Sequence, residues 1–172
     1  MIPAVFDPIA LLRVLNRHRV RYLLIGGFAA TAYGSPLPTV DVDVTPEPTR
    51  DNLRRLSGAL DDLGARVRVE GIPEGLAFAH SGDSLREIAV LSLVTRLGDL
   101  DLVLRPAGGA AYAELAARAV TVHLHGMDVA LASLDDVIAS KEAADRPKDR
   151  QALPILRALR QRLRTDGERS QE

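Results

Sequence analysis

The architecture of this chain is set by Leu24-Ile25-Gly26-Gly27-Phe28-Ala29-Ala30 and the following Thr39-Val40-Asp41-Val42-Asp43. The apolar run Tyr22–Ile25 is short for a helix and ends at a Gly-Gly pair, which favours a buried strand that runs into a tight turn. Residues Phe28–Tyr33 follow as a short helix, and Val40–Val44 alternates strictly between valine and aspartate, as strands do. We therefore predict a strand, a turn, a short helix and a second strand.

Asp41 and Asp43 are two residues apart on the predicted strand, so both carboxylates point to the same face. Adjacent anions repel each other, and a hard cation such as Mg²⁺, which prefers oxygen ligands, neutralises such a pair. Alternating aspartates also occur as an ordinary solvent-facing strip. Thirteen residues separate Gly27 from Asp41, which allows one short helix and a return loop, so the glycine turn and the carboxylates can meet at one edge.

The pair Gly26-Gly27 lies where the predicted strand meets the helix. Glycines let a phosphate group approach backbone amides, and a helix N-terminus favours anions. A turn that requires glycine for steric reasons alone is the other interpretation.

A third carboxylate is expected on the later strand Asp99–Leu104. Asp99 and Asp101 share one face of this strand. We favour Asp101, because it lies deeper in the strand, whereas Asp99 is next to the turn at Leu97-Gly98 and can serve as a turn residue.

The only lysines among the 22 basic residues are Lys141 and Lys148. Lys141 lies one helical turn before Asp145-Arg146, and Asp149 follows shortly after. This pattern is typical of a charged helix-loop-helix surface with local ion pairs. It also suits phosphate binding, in which Lys141 and Arg146 neutralise a triphosphate while Asp149 orients them.

The composition fits one domain of 172 residues, with 47% hydrophobic and 26% charged residues. Because the chain has no cysteine, disulfides, thiolate zinc sites and cysteine nucleophiles are excluded. No apolar run reaches the roughly 18 residues of a membrane span, and Met1–Arg13 lacks the pattern of a secretory signal. We expect a cytoplasmic protein with no membrane partner.

The net charge of −1 hides a strong gradient along the chain. Residues 146–164 contain seven cations and one anion, a net charge of +6, whereas three Phe, three Tyr and no Trp offer few stacking platforms. Arg157, Arg160 and Arg164 follow helical spacing on the last predicted helix. They form either a solvated face or a contact surface for an RNA phosphate backbone.

The remaining pattern predicts an α/β (α+β) fold with a central mixed sheet and helices at both ends. We predict one domain over residues 1–172, with a mixed-sheet core over about 1–131 and C-terminal helices over about 133–165. Residues Gly71–Ser84 are expected as loop and the tail beyond Thr165 as frayed. The other predicted helices are Asp7–Arg17, Thr49–Leu63 capped by Thr49, Ala110–Ala119, Ser133–Ala144 and Asp149–Leu163, and the other strands are Arg66–Glu70, Ile88–Thr95, Val120–Leu124 and Met127–Leu131.

The two sequence blocks around Gly26-Gly27 and Asp41–Asp43 resemble the opening motif of the DNA polymerase β-like nucleotidyltransferase superfamily, in the form found in AbiEii-type toxins. The block Ile138–Asp149 is similar to the later lysine, arginine and Lys-Asp motif of that group. The blocks lie about 100 residues apart in the expected order. Size and Arg/Ala-rich composition most resemble the short MenT toxins of mycobacteria.

This resemblance implies a nucleotidyltransferase fold in which a C-terminal helical region closes the nucleotide cleft. Asp41, Asp43 and Asp101 would hold Mg²⁺ in a two-metal site. The nucleotide would be bound by Gly26, Gly27, Thr39, Lys141 and Arg146. Lys141 and Asp149 would join the three aspartates as catalytic residues.

Toxins of the MenT kind transfer nucleotides, with a pyrimidine preference for CTP or UTP, to the 3′ acceptor end of tRNA. This blocks aminoacylation and translation. The resemblance therefore implies a tRNA acceptor stem and a cognate antitoxin as partners, and a regulatory phosphosite at Thr39, modified by a kinase such as the antitoxin. One departure is Gly27, which stands where many superfamily members have serine.

Two alternatives remain open at this point. The same fold can transfer a nucleotide to a protein or to a small molecule such as an aminoglycoside, and the near-neutral net charge fits this acceptor. A non-catalytic antitoxin with a nucleotide-binding fold is the second alternative, although all the expected acidic and basic positions are present.

Overall fold

The structure, a computed structural model, describes residues 5–169. In this range the chain forms eight strands and seven helices. The strands are β1 (Tyr22–Ile25), β2 (Asp41–Pro46), β3 (Arg66–Val69), β4 (Ile72–Leu76), β5 (Val90–Thr95), β6 (Gly98–Val103), β7 (Val120–Leu124) and β8 (Met127–Leu131). The helices are α1 (Pro8–Arg17), α2 (Gly26–Ala32), α3 (Arg50–Asp62), α4 (Gly82–Arg86), α5 (Tyr112–Ala117), α6 (Leu134–Ala144) and α7 (Pro147–Arg169).

All eight strands form one mixed sheet in the order β4-β3-β5-β6-β2-β1-β8-β7. Strand β2 lies in the interior, antiparallel to β1 and parallel to β6. The β1–β8 pair is also parallel, whereas the remaining pairs are antiparallel. The predicted α/β fold with a central mixed sheet and a C-terminal helical region is therefore confirmed.

The alternating valines and aspartates of β2 lie on opposite faces of the sheet. Val42 and Val44 are fully buried and belong to the same apolar core as Leu53, Leu56 and Leu60 of α3. Successive side chains of a strand point to opposite faces, so the aspartates of β2 lie on the other face of the sheet. Burial of the valines thus fixes which way the carboxylates point.

The segment Gly71–Ser84, expected as loop, is partly regular. Strand β4 pairs with β3 in an antiparallel arrangement, and α4 begins behind Ser81, whose hydroxyl accepts from the Ser84 amide in a capping box. Pro73 and Gly75 conceal the strand pattern in the sequence, and both are tolerated because β4 is an edge strand. The loop prediction is therefore wrong where the segment forms β4 and the start of α4.

Several predicted helix ends are also corrected. Helix α2 begins at Gly26, so the glycines form its first turn. Thr49 occupies the N-cap position of α3 as predicted, but its side chain makes no capping hydrogen bond; its hydroxyl donates to Glu47 Oε2 at 3.3 Å. Helix α7 extends through Arg169, where a frayed tail was expected. Residues 1–4 of the segment considered for a signal, and residues 170–172 of the tail, lie outside the described range.

Within residues 5–169, none of the helices combines the length and the apolar character required to cross a membrane.

Candidate active site

Three carboxylates meet on the open face of the central strands. Asp41 and Asp43 come from β2 and Asp101 from β6, and one oxygen of each lies within 4.8 Å of the others. Parallel pairing of the two strands places Asp43 opposite Asp101 and Asp41 opposite Asp99. The structure thus brings together the three residues that the sequence predicted as metal ligands.

The raised pKa values of two of these carboxylates reflect the repulsion and burial of negative charge in the cluster, which a bound cation would relieve. Burial, followed by the negative charges of Asp41 and Asp101, raises the pKa of Asp43 to about 7. Burial likewise raises the pKa of Asp101, opposed by the Arg68 guanidinium. Three clustered carboxylates are a donor set that fits Mg²⁺, because it takes hard oxygen ligands.

The glycine turn lies directly against these carboxylates. Gly26 has a positive φ of +67°, and a Cβ atom there would lie 2.8 Å from Cγ of Asp43. Gly27 faces Thr39, because a Cβ atom at Gly27 would lie 3.0 Å from Oγ1 of that threonine. A side chain at position 27 would therefore require Thr39 to shift by a few tenths of an ångström.

Thr39 lies between the glycine turn and the first carboxylate. Its hydroxyl donates to the backbone oxygen of Asp41 at 3.1 Å and is 3.4 Å from Oδ1 of the same residue. The side chain is only partly buried. A phosphate group on this oxygen would therefore lie next to the carboxylate cluster.

A buried carboxylate, Asp149, binds two cationic side chains from the C-terminal helical region. Asp149 is fully buried and accepts from Nζ of Lys141 at 3.3 Å and from Nε of Arg146 at 2.6 Å. Burial opposes the charged form, but the hydrogen bonds of Arg146 and Lys141 keep the pKa of Asp149 below its usual range. Asp149 therefore positions both cations, as the sequence interpretation expected.

One cleft of about 930 Å³ joins these groups. Its walls include the glycine turn, Thr39, the three carboxylates, Lys141 and Arg146. Asp149 is not among the lining residues, because it lies behind the two cations. Its carboxylate contacts Lys141 and Arg146, which do line the cleft, and the catalytic role expected for Asp149 stays a prediction.

Two further cations of the cleft were not assigned from sequence. Arg105 and Lys148 both line it, and within residues 5–169 neither forms an ion pair with a carboxylate. The charge of Lys148 acts on Asp43, whose pKa it lowers. Lys148 could have been found from the scarcity of lysine, whereas Arg105 carries no sequence signal.

The choice between Asp99 and Asp101 has a structural answer. Asp101 joins the carboxylate cluster, whereas Asp99 Oδ2 accepts from Nη1 of Arg68 at 2.7 Å. Arg68 also contacts Asp101 and was missed in the sequence. The alternation Arg66-Val67-Arg68-Val69 placed it on a polar strand face, but nothing local indicated which carboxylates it would meet.

The three arginines considered for RNA contact form ion pairs with helix α6. Arg157 pairs with Glu142 at 2.6 Å, Arg160 with Asp135 at 3.0 Å and Arg164 with Asp135 at 3.1 Å. None of the three is among the residues that line the cleft. These contacts connect α7 to α6 at the surface, where two carboxylates of α6 pair with three arginines of α7.

Comparisons with known proteins relate this chain to nucleotidyltransferases by shape. No protein-family model matches it, and no curated protein matches it. The chain is similar to LnuA, a lincosamide antibiotic adenylyltransferase solved with lincomycin bound, with a TM-score of 0.60 and 14% identity over 91% of this chain and 99% of that chain. It is also similar to ANT(2'')-Ia in complex with adenylyl-2''-tobramycin, with a TM-score of 0.53 and 18% identity over 91% and 94%.

At these identities the likeness shows the fold alone. The chain has the nucleotidyltransferase fold that the sequence resemblance implied. The narrower resemblance to AbiEii-type and MenT-type toxins is not distinguished by these neighbours.

Proposed function

We propose that this protein is a metal-dependent nucleotidyltransferase that transfers a nucleotide from an NTP to a hydroxyl group. The observation that carries the proposal is a single cleft lined by Asp41, Asp43 and Asp101 together with the cations Lys141 and Arg146. Carboxylates that hold divalent cations and basic groups that bind phosphates are the two components of phosphoryl-transfer sites.

In this proposal the bond between the acceptor oxygen and the α-phosphorus forms while the bond to pyrophosphate breaks. Mg²⁺ bound by the carboxylates would supply Lewis-acid stabilisation of the phosphate charge. Asp101 accepts the proton of the attacking hydroxyl on a carboxylate oxygen. Lys141 and Arg146, held by Asp149, stabilise the charge on the departing pyrophosphate.

The glycine turn has a separate role in this proposal. Gly26 and Gly27 form the first turn of α2, and the cleft reaches both. The absence of side chains lets the triphosphate approach the backbone closely. The contact of Gly26 with Asp43 then sets the nucleotide beside the carboxylates.

We further propose that the acceptor is the 3′ end of tRNA and that the protein is the toxin of a toxin–antitoxin pair, with CTP or UTP as the donor. Both motif blocks that resemble AbiEii-type and MenT-type toxins line or support one cleft. Arg105 and Lys148, which form no ion pair with another described residue, add positive charge to this cleft, which suits an acceptor rich in phosphates. An antitoxin that silences the enzyme, including one that acts as a kinase on Thr39, completes the proposal.

The test is a labelling assay with purified protein, Mg²⁺, tRNA and each of the four NTPs labelled at the α-phosphate. We expect labelled tRNA with CTP or UTP, and none after EDTA treatment or with Asp41→Asn. Periodate-oxidised tRNA, which lacks the 3′ hydroxyl, is the matched acceptor control and should remain unlabelled. Absence of labelled RNA with every nucleotide would contradict the tRNA proposal.

A small-molecule acceptor is the second candidate function. It is favoured by the fact that the two structural neighbours described above are antibiotic adenylyltransferases matched over nearly their whole length. Adding lincomycin and tobramycin to the same assay separates the two candidates, because the label would then appear on the antibiotic instead of RNA.

A non-catalytic role makes a different prediction in cells. A toxin that acts by catalysis should arrest growth on induction, and Asp41→Ala should abolish the arrest. Equal arrest by both proteins would support a binding protein and contradict the enzymatic proposal.

A further inference from the structure

Strand β6 carries two carboxylates, and one arginine holds both. Nη1 of Arg68 is 2.7 Å from Oδ2 of Asp99, and Nη2 is 2.5 Å from Oδ1 of Asp101. The guanidinium therefore bridges a carboxylate outside the metal cluster and one inside it. The Arg68, Asp99 and Asp101 side chains are 32%, 33% and 18% exposed, so the bridge is partly shielded from water.

The sheet register explains how Arg68 reaches this position. Antiparallel pairing places Arg66 opposite Val94 and Val67 opposite Leu93, and continuing this register brings Arg68 opposite Ser92. Ser92 is opposite Asp101, which in turn is opposite Asp43. Arg68 thus lies on the same transverse row of the sheet as two of the three clustered carboxylates and spans β5 to reach them.

We propose that Arg68 is a positioning residue that fixes Asp101 as a metal ligand, with Asp99 as its second anchor. The proposal rests on the metal-binding part of the proposed function. Arg68 engages Oδ1 of Asp101 and leaves Oδ2 free of the guanidinium. Hydrogen bonds to both Asp99 and Asp101 fix the planar guanidinium of Arg68, and the guanidinium in turn fixes the orientation of the Asp101 carboxylate.

A purely electrostatic role would make a different prediction from a positioning role. Lysine has the same charge as arginine, but its single ammonium group does not reproduce a planar fork across two carboxylates. Arg68→Lys therefore keeps the charge and removes the geometry. Asp99→Asn keeps the guanidinium but weakens its second anchor, and it also removes one negative charge near the carboxylate cluster.

The chain offers a matched control on the same strand. Arg66 lies two residues before Arg68, and its guanidinium donates to the backbone oxygens of Glu74 and Gly75. It contacts no carboxylate within the described residues, so Arg66→Lys tests the cost of changing a structural arginine on β3.

The experiment is a Mn²⁺ titration of the full chain without nucleotide, with free Mn²⁺ followed by electron paramagnetic resonance. Asp101→Asn identifies the binding that depends on Asp101. We expect Arg68→Lys and Arg68→Gln to weaken this binding about tenfold or more, the usual effect of losing a residue that orients a metal ligand. Asp99→Asn should weaken it less, and Arg66→Lys should bind as the wild type does.

Other results would overturn the proposal. Wild-type binding by Arg68→Lys would show that charge alone matters, and equal weakening by Arg66→Lys would show a general effect on β3. Because binding is measured without nucleotide, the result is independent of catalysis. If the wild type transfers nucleotides but Arg68→Lys binds Mn²⁺ normally, only the role of Arg68 is refuted. If Arg68→Lys weakens Mn²⁺ binding but the wild type labels no acceptor, only the proposed nucleotidyl transfer is refuted.

Discussion

Gly26 is in direct contact with the carboxylate of Asp43, and the space between them has no room for a methyl group. The contact arises because β1 and β2 pair with Ile25 opposite Asp43, so the residue that follows β1 turns across the carboxylate. Its φ of +67° is one that glycine adopts without strain. The glycine turn and the carboxylate cluster are therefore one structural unit.

Gly26→Ala should displace Asp43 and impair metal binding. The positive φ alone costs about 1 to 2 kcal/mol with alanine, and the collision with the carboxylate adds to this. Gly64→Ala is the matched control, because Gly64 has a φ of +59° and no atom within 4 Å of an added Cβ. Urea unfolding and Mn²⁺ binding measure both effects. Equal losses of stability and normal Mn²⁺ binding in both variants would contradict a role for the contact.

Asp43 should make the metal-free protein less stable as the pH rises. Its pKa is about 7 in the folded chain against 3.8 ordinarily, so between these values the folded state holds a proton that the unfolded state has lost. Stability from this proton is present below about pH 4 and is lost as the pH rises through about 7.

The measurement compares wild type with Asp43→Asn in EDTA at pH 5 and pH 8. We expect the variant to gain relative stability at pH 8 by a few kcal/mol, since each pKa unit corresponds to about 1.4 kcal/mol. Added Mg²⁺ should reduce this difference by stabilising the wild type. Parallel pH profiles of unfolding free energy for the two proteins would refute the raised pKa.

The carboxylate cluster was predictable because it depends on local periodicity and on one strand pairing. Alternation placed Asp41 and Asp43 on one face, and depth along its strand favoured Asp101 over Asp99. Arg68 was not predictable, because its contacts depend on β5 lying between β3 and β6. A non-local strand order of this kind leaves no periodic signal in the sequence.

The charge gradient shows a second limit of the sequence. For the arginines of the +6 stretch the sequence left open a solvated face or an RNA contact surface, and it did not indicate that Arg160 and Arg164 both pair with Asp135, which lies outside that stretch. The pairing depends on how α6 and α7 pack together. The distribution of net charge along a chain therefore did not predict which cations remain unpaired in the fold.

Asp149→Asn should lower activity by releasing the two cations it holds. The buried carboxylate accepts from Lys141 and Arg146, and loss of such a charged hydrogen bond costs about 1.5 to 3 kcal/mol. Asp145→Asn is the control, because Asp145 pairs with Arg150 at the exposed surface. We expect a raised KM for NTP and a lower Tm only for Asp149→Asn. Equal KM values in the two variants would contradict the positioning role.

Thr39→Glu should be folded and inactive. The threonine hydroxyl lies 3.4 Å from Oδ1 of Asp41, so a negative charge there repels the triphosphate and competes for the metal; phosphorylation would place about −1.5 to −2 charge at the same point. Thr39→Ser, which keeps the hydroxyl, should remain active. Circular dichroism and the labelling assay measure folding and activity, and a fully active Thr39→Glu would refute regulation at this position.

Lys148→Gln should weaken nucleotide binding more than the loss of the same charge elsewhere on α7. Lys148 lines the cleft and acts on Asp43, and a hydrogen bond between a cation and a phosphate contributes about 1.5 to 3 kcal/mol, or tenfold or more in affinity. Arg162→Gln removes one positive charge from an exposed site on the same helix and should leave KM for NTP unchanged. If both variants raised KM equally, the effect would come from net charge and Lys148 would have no direct contact with the nucleotide.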